Sequence, residues 1–298
     1  MIQLETFLRP TQSELFGSLL ATYKGNAIFS KEHFILVRGD VPVMLLAHLD
    51  TVHEKPVREI CATADGNILM SPQGIGGDDR CGVYALVKAH ALAAKKPWLL
   101  FCCDEEVGGV GADYFCLAHE SGKLPAALDS LKFLVEIDRK GANDAVYYDC
   151  YNPAFEAYIT SKGFQTAYGS FSDISLVAPE LGVAAVNLSS GYYNAHTLHE
   201  FINRAQLETT IQRVVEIISD AASNDFPRYE YADIFWEEEP VEVPDEYREV
   251  YEELLDLYTA DELDYFRKLY GDHVLYDIYL DEYGAPRPDQ DTTFDDDE

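Results

Sequence analysis

Four predominantly apolar runs, at 43–47, 98–103, 133–137 and 183–187, constrain the fold of this chain more tightly than any other feature of its sequence. Runs of this kind read as buried strands, the pattern of a sheet covered by helices. Between the first two, residues 79–95 place Val83, Leu86, Val87 and His90 on one helical stripe, and 204–222 repeat it with Leu207, Ile211, Val214, Val215 and Ile218. The alternation predicts an α/β three-layer sandwich around a central mixed, mostly parallel sheet over residues 1–226, with no internal repeat.

The rest of the chain differs in kind. Of 53 acidic and 22 basic side chains, 25 and 4 lie in 229–298, so that stretch carries −21 of a formal net charge of −31. It also holds ten of the 20 tyrosines, and Pro227, Pro240 and Pro244 punctuate its start. Tyr247, Val250, Tyr251, Leu254, Leu255 and Tyr258 recur at three- and four-residue spacing, and Thr259-Ala260-Asp261-Glu262 reads as a capping box opening a second helix. Residues 227–298 are therefore expected to form an acidic, partly helical extension that frays over 286–298.

Composition excludes several classes. With 47% of its 298 residues hydrophobic, the chain can bury a substantial core, and no run approaches the length of an apolar membrane span. Its charge repels phosphate backbones and anionic lipid, so neither nucleic acid nor membrane is expected as a partner. The start, Met1-Ile2-Gln3-Leu4-Glu5, has neither the basic flank nor the apolar stretch of a secretory signal, and a cytoplasmic protein is expected. Six cysteines without a C-x-x-C pair do not make a disulfide scaffold.

The polar clusters stand where open α/β sheets place their sites, outside the carboxyl ends of the strands. His48-Leu49-Asp50 closes the first run, Asp104-Glu105-Glu106 the second and Asp138 the third; Asn194-Ala195-His196 follows the fourth, and Gly76-Gly77-Asp78-Asp79 opens the intervening helix. So many carboxylates at one edge repel one another unless cations neutralise them. Two imidazoles with several carboxylates suit zinc, with cobalt or manganese as alternatives, and two divalent ions are expected. Asp50, two residues beyond His48, is placed to orient a metal-binding imidazole. Adjacent Glu105 and Glu106 cannot point the same way, leaving one to bind metal and the other to take a proton from water.

These segments resemble the successive signatures of the dinuclear-zinc exopeptidase superfamily, in its tripeptidase T and glutamyl aminopeptidase-like branches. The matching residues are Ala47-His48-Leu49-Asp50-Thr51-Val52, Gly77-Asp78-Asp79-Arg80-Cys81-Gly82, Asp104-Glu105-Glu106-Val107-Gly108, and Asn194-Ala195-His196 with Glu200-Phe201-Ile202. The resemblance implies that His48 and Asp138 hold one zinc, Glu106 and His196 the other, and Asp78 bridges them. It makes Glu105 the general base that activates a metal-bridging water and then protonates the leaving amine, with Asp50 orienting His48. Tripeptidase-like members insert a lid domain between the positions matching Asp138 and His196. Here 58 positions separate the two, which predicts a catalytic domain without that insertion.

The activity expected is a metal-dependent aminopeptidase acting on short peptides. A deacylase or carboxypeptidase-like amidohydrolase of acyl-amino acids is the alternative, because the metal motif does not say which side of the amide is recognised. A binding or assembly protein with a vestigial metal site is the rival from another class; an intact Glu105 argues against it. A homo-oligomer is left open. Among the remaining residues, Arg80 divides evenly between facing the site and a helix-surface ion pair, His199 between structural and substrate-facing roles, and His53 reads as a surface or core histidine. Tyr192, Tyr193 and Asn194 are candidate oxyanion donors. The glycines at 74–77 fit no phosphate-binding motif and are ascribed to loop geometry around metal ligands.

Overall fold

The computed structural model describes residues 2–30, 32–53, 55–169, 171–231, 243–255 and 257–283. The strands in chain order are β1 (Ala27–Ser30), β2 (Phe34–Val37), β3 (Val41–His48), β4 (Cys61–Ala62), β5 (Ile68–Met70), β6 (Pro97–Cys102), β7 (Phe133–Arg139), β8 (Asp144–Val146), β9 (Gln165–Thr166), β10 (Ala185–Ser189), β11 (Tyr192–Tyr193) and β12 (Phe201–Asn203). Eight of them form the main sheet, ordered β1-β2-β6-β3-β7-β10-β8-β9, and the other four a small sheet ordered β11-β12-β5-β4. The four predicted runs are thus neighbours, β6, β3, β7 and β10, all parallel. Antiparallel pairings of β1 with β2, β2 with β6 and β10 with β8 make the sheet mixed.

Alternation along the central strands assigns the two faces. Val43, Leu45 and Ala47 of β3 enter one core cluster, with α2 (Gln12–Thr22), α3 (Gly77–Leu92), α5 (Pro153–Ser161) and α7 (Arg204–Ala221). Met44 and Leu46 enter the other, with α4 (Val110–Glu120) and α6 (Ile174–Leu181). Burial on both faces is why these strands read as continuous apolar runs, each buried Leu or Ile contributing roughly 1.5–3 kcal/mol. The short α1 (Glu5–Leu8) precedes α2, whose capping box was not anticipated: Glu14 N–H donates to Thr11 Oγ1 at 3.3 Å and Thr11 N–H to Glu14 Oε2 at 2.9 Å. The β1–β2 hairpin and the small sheet also went unpredicted. α3 ends at Leu92, three residues before its expected end, where Lys96 Nζ donates to the carbonyls of His90 and Ala93 at 2.7 Å each.

Contacts divide the chain into two compact units. The first takes the described residues up to Thr166 and from Phe171 to Tyr231; the second takes Ala167–Gly169 and the described residues from 243 onward. Beyond position 227 the first unit still pairs, Ala184 N–H donating to Tyr229 O and Tyr229 N–H to Lys132 O, both at 2.9 Å. Between Asp138 and His196, only Ala167–Gly169 among the described residues belong to the second unit.

The second unit contains α8 (Asp245–Leu254), α9 (Ala260–Tyr270) and α10 (Val274–Tyr283). The predicted capping box opens α9, with Thr259 N–H donating to Glu262 Oε2 at 2.7 Å and Glu262 N–H to Thr259 Oγ1 at 3.3 Å. Val250, Leu254, Leu263, Phe266, Leu275 and Ile278 share an apolar cluster with Tyr168. Arg267, buried in this acidic unit, donates to Asp264 and Asp272 at 2.7 Å each. The segment 286–298, expected to fray, lies outside the described residues. No helix among the described residues is long and apolar enough to cross a membrane.

Candidate metal centre

After β3 the chain supplies β6 on one side of it and β7 on the other, and the crevice at such a reversal of strand order lies at the carboxyl ends. His48, the last residue of β3, sits there with its side chain 1% exposed. Its Nε2 lies 3.1 Å from Asp78 Oδ1, 3.7 Å from Asp138 Oδ1 and 3.9 Å from Glu105 Oε2. His196 Nε2 lies 3.3 Å from the other oxygen of Asp78, Oδ2, and 3.0 Å from Glu106 Oε2. One carboxylate therefore faces two imidazoles, each with a further carboxylate beside it. The five predicted metal ligands, with Glu105 and Asp50, are brought together at one edge of the sheet.

Local structure explains each placement. Asp50 Oδ1 accepts from His48 Nδ1 at 3.2 Å and from Glu105 N–H at 3.1 Å, while Oδ2 accepts from Glu106 N–H at 3.1 Å. Asp50 thereby holds the imidazole and both glutamates' backbone. Asp138 N–H donates to Asn187 Oδ1 at 2.7 Å, and Ser172 Oγ and Tyr192 OH donate to its two carboxylate oxygens at 3.3 Å each. His196 stands on a loop in the left-handed region, φ 63°.

The electrostatics are those of a site short of positive charge. Burial works against the His48 imidazolium, yet Asp138, Asp50 and Asp78 together raise its pKa well above the ordinary value. Hydrogen bonds to Asp78 and Glu106 push His196 up to about 10. Burial would raise Asp50 and Asp78, but the histidines hold both below the usual carboxylate range. Burial, aided by Asp78 and Asp79, lifts Asp138 well above that range, and burial pushes Glu105 up to about 8. Glu106 Oε1 is buried with no hydrogen-bond partner among the described residues. Ligand atoms of His48, Asp78 and Glu106 all lie within 4.8 Å of one another, and this mixed imidazole and carboxylate set fits a divalent cation. Asp79 comes equally close to His48 and Asp138, but its oxygens accept from the amides of His48 at 3.3 Å and Gly82 at 2.9 Å, so Asp78 is the better donor.

The structure decides between the open readings of several other residues. Arg80 is buried rather than on the helix surface, and Nη1 donates to the carbonyls of Phe7 and Pro10 at 2.9 Å each. It lines a cavity of about 300 Å³ beside Asp50, shared with Gln12, His53, Lys55 and Ile75. Of the candidate oxyanion donors, Tyr192 serves Asp138, Tyr193 OH donates to Gln206 Oε1 at 2.7 Å, and Asn194 Nδ2 donates to His199 O at 3.4 Å. His199 is exposed, whereas His53 joins Glu200 at 3.0 Å. Two buried acids were missed: Glu136, raised well above the ordinary range, and Asp173, raised to about 6, both mainly by burial. The signal for Glu136 was present, since an acid two residues before Asp138 on a strand shares its face.

The chain matches no family model and no curated protein sequence. Its structure is similar to that of aminopeptidase PepT from Bacillus cereus, at 14% identity and a TM-score of 0.55, over 74% of this chain and 100% of that one. A tripeptidase from Staphylococcus aureus gives 15% and 0.54, covering 74% and 99% of the two chains. The aminopeptidase from the archaeon Desulfurococcus kamchatkensis gives 15% and 0.53, covering 74% and 94%. The fold is one that aminopeptidases use.

Proposed function

We propose that this protein is a metal-dependent peptidase, an aminopeptidase acting on short peptides, with two divalent ions, zinc expected, held by His48 and Asp138, by Glu106 and His196, and by Asp78 between them. The observation that carries this reading is Asp78, whose two oxygens address different imidazoles, with Glu105 Oε2 3.9 Å from one of them, His48 Nε2. Bound there, the ions would supply Lewis acidity toward the scissile carbonyl and the attacking water.

The chain's own residues supply the rest. Asp50 holds a proton of His48 on Nδ1, so that Nε2, once a cation has displaced its own proton, becomes the donor atom. Glu105, its backbone fixed by Asp50, takes a proton at its carboxylate from the attacking water and delivers it to the leaving amine. Exposed apolar side chains stand next to the site residues in sequence, Val107 after Glu106 and Leu198 two positions after His196, and offer contact area for a peptide.

The test compares free and N-acetylated forms of the same short peptides, with metal-stripped protein, protein reloaded with zinc, cobalt or manganese, and Glu105→Gln at matched metal content. Metal-dependent release of the N-terminal residue from free peptides only, lost in the variant, is the expected result. Cleavage confined to the acylated set would replace the aminopeptidase with a deacylase, and metal-independent turnover would overturn the mechanism.

A further inference from the structure

Glu200 is fully buried, and its carboxylate joins three loops that carry site residues. Oε1 accepts from Asp78 N–H at 2.9 Å, Oε2 accepts from Gly76 N–H at 2.8 Å, and Oε2 also pairs with His53 Nε2 at 3.0 Å. His53 lies three residues beyond Asp50 on the loop leaving β3; Gly76 and Asp78 lie on the segment that opens α3; Glu200 itself follows His196 by four residues. The pairings span 122 to 147 positions in sequence.

The glycines at 74–77 show how tightly this junction closes. A Cβ on Gly74, whose φ is 81°, would fall on the His53 ring, and one on Gly77 would lie 2.7 Å from Tyr192 Cβ and 3.1 Å from Glu200 Oε1. The segment is squeezed from both sides where the carboxylate grips it. Fully buried and already engaged by three donors, the carboxylate is out of reach of substrate, so its effect on chemistry must pass through the backbone it holds.

We propose that Glu200, held in turn by His53, is a positioning residue that sets Asp78 between His48 and His196 and so fixes the relation between the two halves of the site. The inference rests on the metal-centre reading above. Glu200→Gln keeps the volume but presents an amide donor to one of the two backbone N–H groups. His53→Ala removes the support while leaving Glu200 intact, and His53→Gln restores a side-chain donor.

The full-length protein and these three variants would be titrated with cobalt(II) by calorimetry, with the visible absorption spectrum and thermal midpoint recorded on the same samples and kcat and KM measured afterward. Wild type is expected to take up two ions. Glu200→Gln should weaken the second equivalent by about 10–100-fold, shift the cobalt spectrum, and lower kcat more than it raises KM. His53→Ala should do the same to a smaller degree, with partial recovery in His53→Gln. Variants that melt lower yet keep wild-type cobalt stoichiometry, affinity and spectrum would make Glu200 a loop-folding residue and overturn the proposal. Should Glu200→Gln fail to fold, the two His53 variants decide by the same criteria. Wild type that binds no cobalt would instead remove the metal-centre reading, and this proposal with it.

Discussion

The two halves of the candidate centre are built differently. His48 is a strand residue, its side chain 1% exposed, in a register fixed by pairing opposite Cys102 of β6. His196 is a loop residue with its side chain 56% exposed, on left-handed backbone, and its ring meets Asp78 and Glu106. The sheet places the first; the second depends on the residues it faces. A buried ligand on a strand is prearranged by the core, whereas an exposed ligand on a loop is ordered largely by what binds there.

The largest expected effect tests the proposed base. Glu105→Gln should lower kcat by about 10²–10⁴-fold with metal content unchanged, read by steady-state kinetics alongside elemental analysis. Unchanged kcat would leave both halves without a base. Next, the halves should separate in stability. In metal-free protein, His48→Ala leaves Asp50, Asp78 and Asp138 crowded without their imidazole and should cost about 3–5 kcal/mol, measured by denaturant unfolding. His196→Ala should cost less, about 0.5–2 kcal/mol, because solvent around its half-exposed ring screens the charges of Asp78 and Glu106. Equal costs would break the comparison.

A third test uses protons. His48 and His196 have raised pKa values, that of His196 about 10, so both carry protons at neutral pH in the metal-free protein, and a cation must displace them to bind. Metal affinity should therefore fall as pH falls below about 10, by about tenfold per pH unit for each proton displaced. Calorimetry in buffers of different ionisation enthalpy counts those protons. His196→Ala should release one fewer, and an unchanged count would separate His196 from the metal. The smallest effect should come from the rim: Val107→Ser or Leu198→Ser should raise KM about two- to tenfold at constant kcat. A fall in kcat instead would place those side chains closer to the reacting bond than their exposure indicates.

Much of this could be read from the chain. The four buried strands, α3, α7 and the α9 capping box follow from periodicity and cap chemistry, which are local, and their positions put the polar clusters at one sheet edge before any coordinates exist. Other elements were equally local and were overlooked, as the Thr11 and Glu14 pair at the start of α2 shows. Glu200 was legible only as part of a motif. That it grips the amides of Gly76 and Asp78 is a tertiary fact, because those groups are more than 120 positions away. Arg80 divided evenly between two readings for the same reason: a charge on a helix normally seeks water, but the carbonyls of Phe7 and Pro10 came from the N-terminal segment to receive it.

By itself the sequence determined that an apolar sheet would form, which faces it would bury and which polar residues would stand at its carboxyl edge. These follow from the spacing of side chains along one strand or helix, where burial rewards each position nearly independently. Only the tertiary structure decided that Asp78 would turn one oxygen to His48 and the other to His196, and that Glu200 would hold it there. Hydrogen bonding and ligation vary steeply over a few tenths of an ångström, and separations that fine between residues far apart in sequence are set by how the whole core packs.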